Sequence, residues 1–145
     1  MELQNDYPGD ETLAEMQGMT QEIGRAIARI ALDELAAGRV DAAHLILEGL
    51  VISNPHDHAA WALLALVEKR RGRTLAARVC AGVAFKLAPE DPQVRLVRAE
   101  VLLADPDERG VARAELERLA ALEGAVATRS RALLTALGSP AAAPG

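Results

Sequence analysis

Aromatic side chains are nearly absent from this sequence of 145 residues, which holds one Tyr, one Trp and one Phe. Half of the residues are nevertheless hydrophobic, so the chain has enough apolar material for a core. That material is mostly Ala and Leu, which favour helices, whereas the β-branched residues that favour strands are few. The length suits one domain. Composition therefore predicts a single all-α domain.

Other shortages narrow the class of protein further. A single cysteine, Cys80, excludes an internal disulfide and a zinc site built from several cysteines. No apolar run approaches the roughly 18 residues that a membrane-spanning helix needs, so we expect no direct insertion into a membrane. Acidic residues outnumber basic ones by 21 to 16, and the net charge of −5 argues against a nucleic-acid partner, which would require a basic face.

The N-terminus also lacks the features of a secretory signal. It begins Met-Glu-Leu-Gln-Asn-Asp, without a basic start and without an apolar run behind it. We therefore expect the protein to stay in the cytosol.

The sequence contains no set of residues typical of an enzyme. We find no nucleophile with a base and an acid, no glycine-rich phosphate loop and no pair of carboxylates at a catalytic spacing. We therefore expect a protein without catalytic activity, without a cofactor and without a metal site.

Four polar residues and the cysteine allow both a functional and a structural interpretation. His56 and His58 flank Asp57 and could bind a metal or sense pH, but no fourth ligand is near in sequence, so we favour a polar helix start. His44 is expected on a partly exposed helix face. Cys80 could be a redox sensor, but a reactive thiol needs a cationic setting, so we favour a small buried side chain.

A basic string, Lys69-Arg70-Arg71-Gly72-Arg73, interrupts the acidic chain. It could contact an anionic partner. We favour the C-terminal turn of a helix, where positive side chains complement the helix dipole.

An internal repeat of 34 residues organises the sequence. Residues that correspond at this spacing are Gly38 and Gly72, Ala43 and Ala77, and Pro55 and Pro89. Three pairs with different backbone roles in one register are hard to obtain by chance. Glycine after an apolar helical stretch predicts a helix end, and proline cannot continue a helix. Each repeat is therefore expected to be a pair of helices.

Local signals predict where these helices lie. Apolar residues at helical spacing predict one helix over 23–37 and a second over 41–53. Asp57 and Asp91 precede the next helices and are expected to cap their N-termini. Residues 126–137 form a further amphipathic stretch, expected to cap the end of the stack.

A 34-residue period with Trp61 early in the repeat, Ala77 in the middle and Pro89 near the end resembles the tetratricopeptide repeat. The resemblance implies an all-α stack of about three helical hairpins with an N-terminal helix and a C-terminal capping helix. The units are expected at about 24–57, 58–91 and 92–125, with the capping helix at 126–137. The third unit lacks the turn glycine in register and has about one extra residue around Asp105-Pro106-Asp107.

These units are expected to form one domain, 12–138. Residues 1–11 are polar and residues 139–145 read Ser-Pro-Ala-Ala-Ala-Pro-Gly, so we expect both ends to be disordered.

Tetratricopeptide stacks bind partners on a concave surface lined by the first helix of each repeat. The resemblance implies that these residues face inward: Arg25, Ala28, Leu32 and Leu35; Ala59, Ala62, Leu66 and Lys69; Gln93, Leu96, Glu100 and Leu103. The resulting groove is apolar in its middle, which suits an extended apolar peptide whose side chains enter pockets. The alternative is that these side chains pack only against neighbouring helices.

The segments 50–61 and 38–44 are similar in layout to the class II chaperones of type III secretion systems. So is the whole arrangement of one helix, about three repeats and a short terminal helix in an acidic chain. The resemblance implies a non-catalytic chaperone in the bacterial cytosol that holds a hydrophobic translocator protein. The family tends to place aromatic residues on the concave face, where this sequence has Ala and Leu. The alternative function is a scaffold or adaptor subunit of a larger assembly.

Residues 12–22, ahead of the first repeat, carry Leu13, Met16 and Met19. Methionines in an amphipathic stretch suit an adaptable contact surface, and members of the resembled family often self-associate here. We therefore expect a weak homodimer through these three side chains. The alternative is that the segment folds back as an N-terminal cap.

Overall fold

The computed structural model describes the backbone of residues 13–138 and the side chains of residues 21–138. The described range contains seven α-helices and no strand: α1 (Leu13–Ala36), α2 (Val40–Ser53), α3 (His58–Arg70), α4 (Thr74–Leu87), α5 (Pro92–Leu102), α6 (Arg109–Ala120) and α7 (Ala125–Leu137). The all-α prediction is confirmed. The segments 1–11 and 139–145, expected to be disordered, lie outside the described residues.

The helices pack as three hairpins followed by a terminal helix. α1 pairs with α2, α3 with α4 and α5 with α6, and α7 packs on both helices of the third hairpin. This confirms the predicted stack of three units and a C-terminal helix. The expected N-terminal helix and the first helix of repeat one are a single helix, α1, because no proline interrupts the chain between them.

The turns inside the hairpins differ between the units. Gly38 and Gly72 have φ of +83° and +76°, a region that glycine enters without steric cost, and they end α1 and α3 as the sequence predicts. The third hairpin has no such glycine, and its helices are joined by the longer segment 103–108. The extra residue of the third repeat therefore lies in this connection.

Two predicted caps hold the loops between the units. Asp57 Oδ1 accepts a hydrogen bond from the backbone N–H of Ala60 at 3.0 Å, at the start of α3. Asp91 Oδ1 accepts one from the backbone N–H of Gln93 at 2.9 Å, at the start of α5. Each carboxylate satisfies a helix N–H that would otherwise lack a partner.

Buried alanines recur at the same positions in the three hairpins. The first helices bury one alanine each at the same repeat position, and the second helices do likewise: Ala31, Ala65 and Ala99, and Ala43, Ala77 and Ala112. An alanine at such a position lets two helix backbones approach closely. Ala77 is buried, as is expected of a residue at a helix junction.

The first helices lie on one side of the stack. α3 contacts both α1 and α5, and α5 contacts α7, whereas in the described chain neither α2 and α4 nor α4 and α6 contact each other. The side on which the helices approach one another is the inner side of the curve. The concave face is therefore formed by α1, α3 and α5, with α7 at its end.

Candidate partner-binding cleft

A cleft of about 300 Å³ opens on the concave face, near the C-terminal ends of α1 and α3. Its lining residues come from four helices: Leu35, Leu66, Lys69, Arg70, Glu100 and Arg129. Four of these six were predicted to line the groove. Leu35 and Leu66 are half-buried and provide its apolar wall, because each keeps part of its side chain exposed while the rest packs on the core.

A carboxylate forms part of the wall opposite the leucines. Glu100 is 7% exposed, and its Oε1 accepts a hydrogen bond from Nε of Arg129 on α7 at 2.8 Å. A buried carboxylate is costly unless it is paired, so this bond holds α7 against α5 at the edge of the cleft. Arg129 was not predicted, since nothing in the pattern of its own helix indicates a partner 29 residues away.

The basic string divides between two sides of α3. Lys69 and Arg70 form its last turn and line the cleft, where the Nη1 of Arg70 donates to the backbone carbonyl of Leu35 at 3.2 Å. Arg71 lies on the other side, with its Nη1 2.8 Å from Oε1 of Glu68. The favoured interpretation, a helix C-terminus, fits the position of Lys69 and Arg70. The same two residues also face the candidate site.

A second cavity, of about 320 Å³, lies at the opposite end of the same face. Arg25 and Ala59, both predicted groove residues, line it with Gln21, Asn54, His56, Asp57 and His58. Ala59 and Lys69 are ten residues apart on α3, so the two cavities are about 15 Å apart. The concave face thus runs between these two cavities.

The histidine pair in that second cavity has structural partners. Nε2 of His58 lies 3.2 Å from Oδ2 of Asp91, the cap of α5, and the backbone N–H of His56 donates to Asn54 Oδ1 at 3.3 Å. Asp57 caps α3. No group of three or more metal-ligating side chains occurs within residues 21–138. These contacts support the favoured interpretation, a polar helix start.

The other predicted groove residues divide into surface and core. Ala28 is half-buried and Leu32 is 40% exposed, both on α1 between the two cavities, and Gln93 is exposed on α5. Ala62 and Leu96 are buried. These last two are core residues rather than groove residues, so neither presents its side chain to a ligand.

The burial of Leu96 has a clear cause. It packs with Leu116 and Leu119 in a small second core, against which Leu103 and the apolar side of α7 also lie. The α6 and α7 helices therefore pack over Leu96. Of the predicted groove residues Leu32, Leu66 and Leu96, only Leu32 and Leu66 keep part of their side chains exposed.

Cys80 is buried on α4. Desolvation raises the pKa of its thiol to about 11, with a smaller contribution from the charge of Glu68. A thiol with this pKa is protonated at neutral pH and therefore unreactive. The structure supports a packing role for Cys80.

The second helices expose more apolar surface than the cleft does. Leu45 and Ile52 on α2, and Leu75 and Val79 on α4, are 57–76% exposed. We call these four side chains the outer apolar residues. Because α2 and α4 do not contact each other, the four side chains lie on separate ridges.

None of the helices within residues 13–138 has the length and apolar character required to cross a bilayer.

No protein-family model matches this sequence, and no curated protein matches it. Solved structures do match, among them structures of the translocator chaperone SycD of type III secretion from Yersinia enterocolitica. One SycD structure is 19% identical with a TM-score of 0.67, and the match covers 88% of this chain and 99% of that chain. This chain shares the SycD fold.

Two further SycD structures agree with the first. An alternative dimer of SycD is 18% identical with a TM-score of 0.65, and the match covers 80% of this chain and 92% of that one. A complex of SycD with a peptide of the translocator YopD is 18% identical with a TM-score of 0.62, covering 78% and 90% of the two chains. The tetratricopeptide-type stack predicted from the sequence is confirmed by all three.

Proposed function

We propose that the protein is a non-catalytic chaperone that holds an extended apolar segment of a secreted protein in its concave cleft. The observation that carries the proposal is the position of the cleft. It lies on the inner face of a SycD-like stack and is lined by Leu35 and Leu66 together with polar groups. A cleft that combines an apolar wall with a few polar groups is the usual form of a peptide- or ligand-binding site.

The size of the cleft determines how much of a partner it can hold. A volume of about 300 Å³ is at the small end of ligand pockets, so it accommodates one or two side chains. Burying one side chain of leucine size contributes about 1.5–3 kcal/mol. The rest of the segment would then lie along α1 over Ala28 and the exposed part of Leu32.

The SycD structures support a more specific proposal about the location of the protein and the kind of partner it binds. SycD is a translocator chaperone, and one of its structures contains a peptide of the translocator YopD. We propose by analogy that this protein acts in the bacterial cytosol and keeps a hydrophobic translocator soluble until secretion. The net charge of −5 leaves nucleic acid outside this proposal.

Self-association is part of the same proposal. SycD forms dimers, one of them called an alternative dimer. Leu13, Met16 and Met19 lie within the bounds of α1, but their side chains fall outside the described residues. We propose a weak homodimer through this part of α1. Light scattering should give a mass above that of the monomer for the full chain, and the monomer mass for a chain that begins at residue 20. Monomer masses for both chains would contradict the proposed dimer.

Co-expression tests the chaperone proposal. Purification from a native lysate, followed by mass spectrometry, should identify a partner that aggregates when it is produced alone and stays soluble when it is produced with this protein. A partner that is equally soluble alone would contradict the proposal.

The outer apolar residues favour a second candidate, a scaffold or adaptor subunit. Leu75 and Val79 are exposed about one turn apart on the same face of α4 and could pack against a partner helix. Under this candidate the partner should be soluble alone, and Leu75→Glu rather than Leu66→Glu should release it.

A further inference from the structure

We propose that the cleft selects a segment in which an acidic side chain lies one or two positions from the apolar anchor. This inference rests on the proposed function and names the chemistry of the segment. It is carried by the juxtaposition, in one cavity, of the two half-buried leucines with three cationic side chains and a single carboxylate.

The charge of the cleft is opposite to the charge of the chain. The protein carries −5 overall, but Lys69, Arg70 and Arg129 all line the cleft against one anion, Glu100. Glu100 is paired with Arg129 at 2.8 Å, so these two charges largely cancel. Two positive charges, on Lys69 and Arg70, remain to be balanced.

No carboxylate of the described residues forms an ion pair with Lys69 or Arg70. The ion pairs formed by arginines between residues 21 and 138 involve other side chains: Arg29, Arg39, Arg71, Arg78, Arg95, Arg118 and Arg129. Arg70 donates to the carbonyl of Leu35, which is neutral and leaves the guanidinium charge uncompensated. Both side chains are exposed and therefore reachable.

The helix dipoles compensate this charge only in part. The C-termini of α1 and α3 lie at the cleft, and each helix end is equivalent to about half a negative charge. Two such ends offset about one of the two unpaired cations, and the effect is further weakened by solvent. A net positive charge of about one unit therefore remains beside Leu35 and Leu66.

The geometry places the acidic side chain close to the anchor. An extended segment advances about 3.3 Å per residue, and side chains two positions apart point to the same side about 7 Å apart. Leu66 and Lys69 lie three residues apart on α3, on neighbouring parts of one helix face. An anchor against Leu66 therefore brings the next one or two residues of the segment within reach of Lys69 and Arg70.

A library of random 12-residue peptides displayed on phage tests this inference. The full-length protein, immobilised at low ionic strength, should enrich peptides with an apolar residue and an Asp or Glu within two positions of it. Exposed ion pairs contribute little, so replacing that acid by its amide in a selected synthetic peptide should weaken binding by about fivefold. Added salt should reduce the difference, because exposed charges are screened.

Two variants test whether Lys69 causes the acidic preference. Lys69→Glu should remove the acidic preference or turn it toward Lys and Arg, while apolar enrichment continues. The matched control is Lys86→Glu, which changes an exposed lysine in the last turn of α4, away from the cleft. It should select the same peptides as the unchanged protein.

The outcomes separate this inference from the proposed function. Apolar peptides without an acidic preference, or with a basic one, would overturn the inference and leave the chaperone proposal standing. A library that yields no apolar peptide would count against both. An acidic preference that survives Lys69→Glu would show that another part of the protein recognises the acidic side chain of the peptide. This result would also overturn the inference.

Discussion

The concave face and the outer surface of the stack differ in how they present apolar side chains. In the cleft, Leu35 and Leu66 are half-buried and surrounded by charged groups. On the outer surface Leu45 and Ile52 are far more exposed, but they stand on a single ridge with no wall opposite them. Exposed apolar area alone therefore does not mark the candidate site, because a ligand gains most where it is surrounded on several sides.

The packing of the hairpins accounts for this difference. Alanines between the helices of each pair bring the backbones close, and the first helices of successive units then contact one another. The second helices are held apart on the outer side of the curve. The same packing that assembles a cleft from α1, α3, α5 and α7 leaves α2 and α4 as separate ridges.

The reactivity of Cys80 gives the largest expected effect and tests how tightly α4 packs beneath its exposed residues. Its neighbour Val79 is exposed, but Cys80 is buried. With the pKa raised to about 11, the native thiol has about a hundredfold less thiolate at pH 8 than a thiol of ordinary pKa, because a raised pKa favours the protonated form. Alkylation by iodoacetamide, followed by mass spectrometry, should be at least this much slower than in urea. Equal rates would show that α4 opens readily.

Ala77→Leu tests the layer that separates the two surfaces. Ala77 is 1% exposed, so the added atoms must push α4 away from its neighbours, at a cost of about 2 kcal/mol in the free energy of unfolding. Urea unfolding followed by circular dichroism measures the loss. Ala132→Leu, at an exposed position of α7, is the matched control and should change stability by less than about 0.5 kcal/mol. A variant at Ala77 as stable as the parent would show that the helix junction lies elsewhere.

Leu66→Glu tests the apolar wall of the cleft. The substitution removes the apolar surface that buries the anchor, and its carboxylate lies three and four residues from Lys69 and Arg70, so it competes for the cations of the cleft. Binding should therefore weaken by on the order of 2 kcal/mol, about thirtyfold. Isothermal titration with the partner segment identified by co-purification gives the affinity, and circular dichroism checks the helix content. If this variant unfolds, Leu32→Glu, at the more exposed position on α1, takes its place. A folded variant with unchanged affinity would show that the partner binds to another face.

Leu45→Glu gives the smallest expected effect. The side chain is 69% exposed, and surface substitutions of this kind usually change stability by less than about 0.5 kcal/mol. Affinity for the partner segment should be unchanged in the same titration. A loss of binding comparable to that of Leu66→Glu would favour the scaffold function.

Features that depend on short stretches of sequence could be predicted, and features that depend on distant packing could not. Gly38 and Gly72 end helices and Asp57 and Asp91 cap them, because each acts on the backbone within a few residues. The 34-residue period then predicts which helices pair as hairpins. The continuity of α1 was missed because the repeat pattern suggested a boundary where the chain has no helix-breaking residue.

The errors in the candidate site have a different origin. Leu96 lies 34 residues after Ala62, which is also buried, so this repeat position belongs to the core in both units, and in the third unit the helix α7 packs there as well. The pair of Glu100 and Arg129 arises from the same docking of α7. The end of a repeat stack thus departs from the pattern of its interior, since a terminal unit packs against a helix that is not another repeat.

Photochemical crosslinking of the co-expressed complex tests the central claim most directly. A photo-crosslinking amino acid replaces either Lys69, an exposed residue that lines the cleft, or Leu45 on the outer surface. The account predicts that illumination joins the partner to the protein from position 69 and not from position 45, with the adduct in an apolar segment of the partner. Adducts from position 45 alone would contradict it and would place the partner on the outer surface.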